Sequence, residues 1–538
     1  MRHALTGACA LLFVAAQAQD PQWTDPPKLV VGIVVDQMRV DNIYRYWDNF
    51  SDGGFKRLVR EGSFQRDAHY DYVPTFTAPG HTSIYTGTTP AHHGIVSNYP
   101  YVRGLRRSWY CAKDTTVDPV GTADLSAQRS PYQLLASTLA DELELRTDRR
   151  SRTVGIALKD RSAIMPIGRT GDASYWYVGG EEGKFVSSSW YMKKLPAWLD
   201  AFNQKGLAAK YLDRTWELSL PRDRYHTPLP DDNPYEEALG KDLRPTLPLD
   251  LAALRKAGAD LRLLIYTPWG NTLTTDMAIA AIAGDSLGMD VVPDLLALSY
   301  SSPDELDHMM GQRSIEGEDI YVRLDADLAR LLSYLDEHVG TGEYTVFLTG
   351  DHGGADVPAY LRDLKGSAGY TPMAELQIWL GAHGFAGTID TVRQGQVYLK
   401  ADAPKETAEA VAHALSMHPA VACAVSGERL QDMGQLRGIA QAMARGYMPQ
   451  RCGDVLFSLH PGYFEAEYSN GGVGTEHGTA WNYDTQVPVV FFGKHVVKGE
   501  VMRRTSITDI APTVSTILGM ALPNAADGRV VPEAISTH

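Results

Sequence analysis

The chain predicts an α/β protein built on a large, mostly parallel central sheet flanked by helices, with an inserted cap and a small α+β subdomain. Three observations predict it. Short β-branched runs recur along the chain, apolar without alternation, the pattern of strands buried on both faces of a parallel sheet. Helical patterns lie between them. Most of the runs lead into a polar, chemically capable residue, and open α/β sheets bind ligands beyond the carboxyl ends of their strands.

In chain order, Leu29 to Val35 ends at Asp36, and Thr153 to Leu158 ends at Lys159. Leu295 to Tyr300 is followed by Ser301-Ser302-Pro303 and Asp304, and Tyr344 to Thr349 by Gly350-Asp351-His352. Val487 to Phe492 is the fifth run. Asp319 to Val339 reads as a helix, with Ile320, Leu324, Leu328, Leu331, Leu332 and Leu335 at helical spacing. Ile510 to Leu518 is another, with Thr508 and Asp509 as candidate caps, Pro512 in the first turn and Gly519 as the stop. Two stretches read as insertions. Residues from about 168 to 288 are rich in Trp, Tyr, Pro and charge and lack strand–helix alternation. Residues from about 367 to 470 hold a strand–helix–strand unit at Gln396 to Lys400, Glu406 to Met417 and Ala422 to Val425.

With 538 residues, 44% of them hydrophobic, the chain can bury a large core. Its 50 basic and 65 acidic residues leave a net charge of −15, which argues against nucleic acid as a partner, since that needs a basic footprint. Bound metal ions can still make one region positive enough for phosphate. Residues 1–18 read as a signal peptide: Arg2 and His3, an apolar stretch from Ala4 to Ala16, then the small-x-small site Ala16-Gln17-Ala18. The expectation is an exported protein, periplasmic or secreted, and no later apolar run reaches the ~20 residues of a transmembrane helix. Cys9 leaves with the signal, and Cys423 and Cys452 are near enough in sequence to pair in an oxidising compartment.

Six oxygen and nitrogen donors stand after strands, on one helical turn or in a Gly-rich loop. They are Asp36; Asp304 and His308, spaced i, i+4 on one helix face; Asp351 and His352; and His477, within Gly474-Thr475-Glu476-His477-Gly478-Thr479. Three Asp and three His without sulfur suit two zinc ions, each with an open position. Asp307 is the alternative to Asp304. A second constellation runs from Pro74 to Gly87 (PTFTAPGHTSIYTG), where a hydroxyl followed by small residues leads into a helix. A nucleophile there would sit where helix dipole and free N–H groups favour a phosphate, and a bound zinc would lower the pKa of its oxygen. His81, His92 and His93 read as structural.

Thr77-x-Pro-Gly-His with Thr86-Gly87, the Asp36 strand end, Asp304-x-x-x-His308, Asp351-His352-Gly353, Thr475-x-His477-Gly-Thr and Thr508-Asp509-Ile510-Ala511-Pro512-Thr513 together resemble the alkaline phosphatase superfamily. The match covers about residues 28 to 520 in order, and its nearest branch is the phosphate-irrepressible, PafA-type enzymes, related to nucleotide pyrophosphatase/phosphodiesterases. The resemblance implies that Asp304, His308 and His477 hold one zinc ion and that Asp36, Asp351 and His352 hold the other with the Thr77 oxygen. It favours Thr77 over Thr75, because sulfatases place their nucleophile two residues before a Pro and nine before Thr-Gly. It further implies that Asn98, Lys159 and Arg161 bind phosphoryl oxygens. The expected activity is a phosphomonoester hydrolase, an alkaline phosphatase acting through a phospho-threonine and releasing inorganic phosphate, with weaker phosphodiesterase activity. The rival readings are a phosphodiesterase or nucleotide pyrophosphatase, and an inactive surface-binding protein on the same scaffold.

Overall fold

The computed structural model describes residues 25–536 apart from 242, 405 and 467–471; the expected signal peptide lies outside the described residues. Ten strands form the main sheet: β1 (Leu29–Val35), β2 (Ser63–His69), β3 (Pro119–Val120), β4 (Thr153–Ala157), β5 (Ala173–Val178), β6 (Lys184–Ser188), β7 (Asp294–Tyr300), β8 (Tyr344–Gly350), β9 (Gln486–Gly493) and β10 (Gly499–Ser506). Their spatial order is β10-β2-β9-β8-β1-β7-β4-β5-β6-β3. The central strands β8, β1, β7, β4 and β5 are parallel.

The helices that matter below are α1 (Thr77–Thr86), α2 (Asp160–Ile167), α3 (Pro268–Gly284), α4 (Ser302–Met310), α5 (Ile315–Leu335) and α6 (Ile510–Ile517). All seven residues of β1 are buried. Side chains alternate across a strand, so Leu29, Val31, Ile33 and Val35 pack on one face with α3 and α5, while Val30 and Val34 pack on the other with α6. Each such aliphatic side chain contributes about 1.5–3 kcal/mol on full burial. A charged substitution at Val34 would break this layer. Register does the rest: Val35 lies opposite both Tyr300 and Gly350, so three strands end level and aim their next residues at one place.

The structure departs from the sequence reading in three respects. β9, apolar like its neighbours, runs antiparallel to both β8 and β2; an unbroken apolar run carries no information on direction. Its beginning, rather than its end, therefore stands at the edge where Asp36 and Asp351 emerge, and the loop carrying His477 enters from there. β5 and β6 lie in the stretch assigned to the first insertion yet extend the main sheet, and α3 from its far end packs on that sheet. The Tyr175-Trp176-Tyr177 run of β5 is strand composition that reads as cap composition without its neighbours. Lastly, Cys423 and Cys452 are both free thiols. Cys423 sits on a strand facing Ser458, and the buried Cys452 Sγ accepts the Met448 N–H at 3.3 Å.

The second inserted stretch holds a four-stranded sheet of Ile389–Arg393, Gln396–Leu399, Val455–Leu459 and Val421–Ser426 with the helix Thr407–Ser416. It has its own core around Val397, Val411, Leu415 and Phe457. Its edge holds the loop that carries Asn98: Ser97 bonds Gln394, Tyr101 donates to Asp390 at 2.6 Å, and Arg103 donates to the Cys452 carbonyl at 2.9 Å.

Candidate metal centre

The level strand ends deliver Asp36 from β1, and Asp351 and His352 from β8, all at 0% exposure. Asp304 and His308 lie one turn apart on α4, and His477 comes from the loop before β9. These side chains form two adjoining groups, Asp304/His308/His477 and Asp36/Asp304/His352, whose ligand atoms lie within 4.8 Å of one another. The nearest approaches are 3.3 Å from Asp304 Oδ1 to His308 Nε2, 3.6 Å from the same oxygen to His477 Nε2, and 3.5 Å from Asp36 Oδ1 to His352 Nε2. Asp351 flanks the second group, with Oδ2 3.5 Å from His352 Nε2 and Oδ1 accepting the Gln37 N–H at 3.0 Å. Asp304 thus stands between the groups, whereas the resemblance assigned it to one of them. Asp307, the alternative, accepts from Gln312 Nε2 at 2.7 Å.

The imidazoles are oriented alike. His308 Nδ1 lies 3.0 Å from the Thr475 carbonyl, His477 Nδ1 2.7 Å from that of Thr75, and His352 Nδ1 2.9 Å from that of Gly353. A carbonyl only accepts, so each Nδ1 carries a proton and each Nε2 is turned toward the carboxylates, the orientation found behind metal-ligating histidines. Burial lowers His308, but Asp304 and Glu476 outweigh it and hold its pKa well above the usual value, so it is protonated on both nitrogens, a proton that a bound metal ion would displace. Four buried atoms of the group, Asp36 Oδ1, Asp304 Oδ1, Asp351 Oδ2 and His352 Nε2, accept no hydrogen bond from any described residue. Leaving such atoms unmet is costly, and their convergence with mixed N/O chemistry fits divalent metal ions.

Charge supports the same fit. Burial, then repulsion from Asp304 and Asp351, pushes the Asp36 carboxyl well up. Burial pushes Asp304 up too, but His308 and then Lys159 outweigh it and hold its pKa well below the usual carboxylate range. Burial lowers His352, and burial with the His352 charge lowers His477 further; both favour the neutral, ligating imidazole. Lys159 Nζ bridges the carboxylates, 2.7 Å from Asp36 Oδ2, in contact with Asp304 Oδ2 and 3.3 Å from Glu305 Oε1.

Thr77 begins α1. The Ala78 N–H donates to Asn98 Oδ1 at 2.8 Å, and Arg161 Nη2 donates to Thr77 Oγ1 at 3.4 Å. Thr75 Oγ1 instead donates to the Thr479 carbonyl at 3.0 Å, which leaves Thr77 as the hydroxyl beside Arg161. Two glycines allow the close approaches: a Cβ on Gly80 would come 2.3 Å from the Asp351 carbonyl oxygen, and one on Gly474 (φ +70) 2.0 Å from that of His308.

The structure brings Asp36, Thr77, Asp304, His308, Asp351, His352 and His477 together with Asn98, Lys159 and Arg161, and other residues of this region went unremarked in the sequence. His81, read as structural, has Nδ1 3.3 Å from Asp351 Oδ2 and 3.0 Å from the Thr77 carbonyl, with Nε2 2.9 Å from Ser299 Oγ. Its Nδ1 proton goes to the Thr77 carbonyl, so it braces the start of α1, in keeping with the structural reading, and stands beside Asp351 without meeting its Oδ2. Its spacing from Thr77, one helical turn, is the signal that could have found it. Glu305 beside Lys159, and Tyr110 and Arg129 beside Asp160, carry no motif at all.

The chain matches the type I phosphodiesterase/nucleotide pyrophosphatase family over residues 30–483. It is 38% identical to a protein of Myroides odoratus named a calcium-transporting ATPase, over 99% of this chain and 98% of that one. It is 39% identical to the alkaline phosphatase PafA of Elizabethkingia meningoseptica, over 96% of each. A crystal structure of wild-type alkaline phosphatase PafA superposes with a TM-score of 0.90 at 38% identity, covering 95% of this chain and 99% of that one. A variant of PafA substituted at one threonine, one asparagine, one lysine and one arginine superposes equally well, at 0.90. The chain belongs to the type I phosphodiesterase/nucleotide pyrophosphatase family.

Proposed function

We propose that this member of the type I phosphodiesterase/nucleotide pyrophosphatase family is an exported alkaline phosphatase that hydrolyses phosphate monoesters with Thr77 as nucleophile at a two-zinc centre. One observation carries the reading. Five donor side chains converge with Asp351 at their flank, four of their buried atoms are unmet, and beside them a hydroxyl at a helix start faces a guanidinium. The relatives named alkaline phosphatase support the activity. The four residue types substituted in the PafA variant recur here, in the same order, as Thr77, Asn98, Lys159 and Arg161.

Asp304, His308 and His477 would hold one zinc ion, and Asp36, Asp351 and His352 the other. Two such ions supply Lewis acidity for the attacking and departing oxygens. The chain's own residues do the rest. Thr77 Oγ1 gives its proton to solvent and bonds to phosphorus as the bond to the ester oxygen breaks; the departing alkoxide takes a proton from solvent, leaving a phospho-threonine and a free alcohol. Water then attacks that phosphorus, restoring the hydroxyl and releasing inorganic phosphate. Asn98 uses its side-chain oxygen on Ala78 N–H, so its NH2 group is left for a phosphoryl oxygen. Arg161 and Lys159 oppose the negative charge on the transferring group, with Arg capable of bidentate contact.

A phosphodiesterase or nucleotide pyrophosphatase is the second reading, favoured by the family's name. The two cations argue for monoesters, which present one more negative oxygen than diesters do; diesters remain a weaker substrate class. The test is elemental analysis of the purified protein together with turnover of a phosphate monoester, a phosphate diester and a sulfate ester. Two zinc ions per chain with monoester preference is the expected result. Diester preference moves the second reading ahead, and metal-free active protein overturns the centre.

A further inference from the structure

Two cations flank Asp160 in the chain, and their surroundings differ. Lys159 touches Asp36, Asp304 and Glu305. No carboxylate among the described residues lies within ion-pairing distance of the Arg161 guanidinium, and its buried Nε has no partner. This is unexpected, because Asp160 is its immediate neighbour and already accepts the Arg161 backbone N–H at 2.6 Å. The Asp160 carboxylate is occupied elsewhere. Its Oδ2 accepts from Arg129 Nε at 2.5 Å, and its Oδ1 accepts from the Tyr110 hydroxyl. That hydroxyl in turn faces Arg161 Nη1 at 3.4 Å. The Arg129 guanidinium also lies 4.8 Å from the centre of the Tyr110 ring, whose other neighbour is Tyr99 at 4.9 Å.

We propose that Arg129, Asp160 and Tyr110 form a clamp that keeps the Arg161 charge free for the substrate. The proposal rests on the reading that Arg161 contacts the phosphoryl group. Arg129 draws the Asp160 carboxylate to itself, and the pair is sheltered enough, with both side chains 15% exposed, to escape most screening. Tyr110 interposes a neutral hydroxyl where a carboxylate would otherwise stand, so Arg161 is braced without being neutralised. Arg129, Asp160 and Tyr110 are positioning residues, since they act through Arg161. Without Arg129, the nearest cation to Asp160 becomes Arg161, and the guanidinium is drawn off the substrate. A monoester, with its additional negative oxygen, depends most on that charge.

The test compares monoester and diester kcat/KM, with zinc content and Tm checked for every variant. Arg129→Gln should lower monoester kcat/KM about tenfold, the scale of one charge-assisted contact, and diester kcat/KM much less. Adding Asp160→Asn to it should restore most of the monoester activity, because the carboxylate that captures Arg161 is gone. A merely structural role for Arg129 predicts no such rescue. Tyr110→Phe provides a second route and should also reduce the monoester-to-diester ratio. Parallel losses on both substrates, or no rescue by Asp160→Asn, overturn the clamp. Arg161→Ala separates the two claims. If it leaves the ratio unchanged, the reading of Arg161 as a phosphoryl contact fails; if it lowers the ratio while Arg129→Gln does not, only the clamp fails.

Discussion

At the carboxyl ends of β1 and β8 stand Asp36 and Asp351, and one turn beyond the end of β7 stands Asp304. At the opposite edge of the same sheet Asp294 and Glu144 are as deeply set, 4% and 2% exposed, with Asp172 beside them. Burial pushes up carboxyl pKa values at both edges: Asp36 well up, Asp294 to about 6, Glu144 to about 7. A raised pKa therefore does not separate a site from a scaffold here; hydrogen-bond partners do. Asp294 accepts backbone N–H groups on both oxygens, from Arg152 and Gly288, each at 2.7 Å. Asp172 accepts from Thr153 N–H at 3.1 Å, and Glu144 from Thr153 Oγ1 at 3.0 Å. At the carboxyl edge, Asp36, Asp304 and Asp351 each keep an oxygen that no described residue hydrogen-bonds. The acids of one edge are met by backbone and hydroxyl groups and hold strands together, while those of the other keep unmet oxygens beside imidazoles, a set that suits cations.

The largest effect expected from this contrast is at Thr77. Thr77→Ala should cost roughly a thousandfold or more in kcat while the zinc content expected of the proposed centre stays at the wild-type level, because the six proposed ligands remain. If Thr75→Ala instead carries the loss, the nucleophile is misassigned. Asp36→Asn comes next and tests the edges directly. It should lower zinc content and cost about a hundredfold or more in activity, since even indirect support of a ligand is worth 10–100-fold. Asp294→Asn should leave kcat/KM of the folded protein within about threefold, because the backbone N–H groups it meets are not part of the chemistry. Equal losses from the two substitutions would break the comparison.

Specificity is a smaller effect. Lys159→Ala/Arg161→Ala should lower monoester kcat/KM about ten- to a hundredfold more than diester kcat/KM, the scale of one or two charge-assisted contacts. An unchanged ratio would reduce the pair to a structural turn. The smallest expected effect is at the other edge and concerns stability alone. Glu144 is protonated more readily folded than unfolded, so its contribution is fully present below its unfolded pKa of about 4.3 and is lost as pH rises through about 7. Glu144→Gln should flatten that decline by about 1–3 kcal/mol, read as unfolding free energy between pH 4 and 8, with activity unaffected. A wild-type decline that persists in the variant would move the titration to another group.

How much of this was legible follows from the range of each interaction. Asp36 and Asp351 were readable because they directly follow apolar runs, and Asp304 with His308 because one helical turn is a local spacing. His477 needed the glycines around it and the resemblance. Tyr110 and Arg129 were not readable, since 50 and 31 residues separate them from Asp160 and neither stands in a pattern. The direction of β9 was equally hidden, because an apolar run reads the same either way. Composition also misled: the aromatic run of β5 passed for part of a cap, and two cysteines close in sequence proved to be separate thiols.

The sequence by itself determined the strand-rich α/β architecture, the donors at the strand ends and the hydroxyl at the start of α1, because periodicity and short spacings act within a few residues. Only the tertiary structure decided which oxygens stay unmet, that Asp304 stands between the two groups, and which cation of the Lys159–Arg161 pair is left unpaired. Those outcomes depend on partners far apart in the chain, such as Gln37 and Asp351, 314 residues apart, which meet only when the strands align in register.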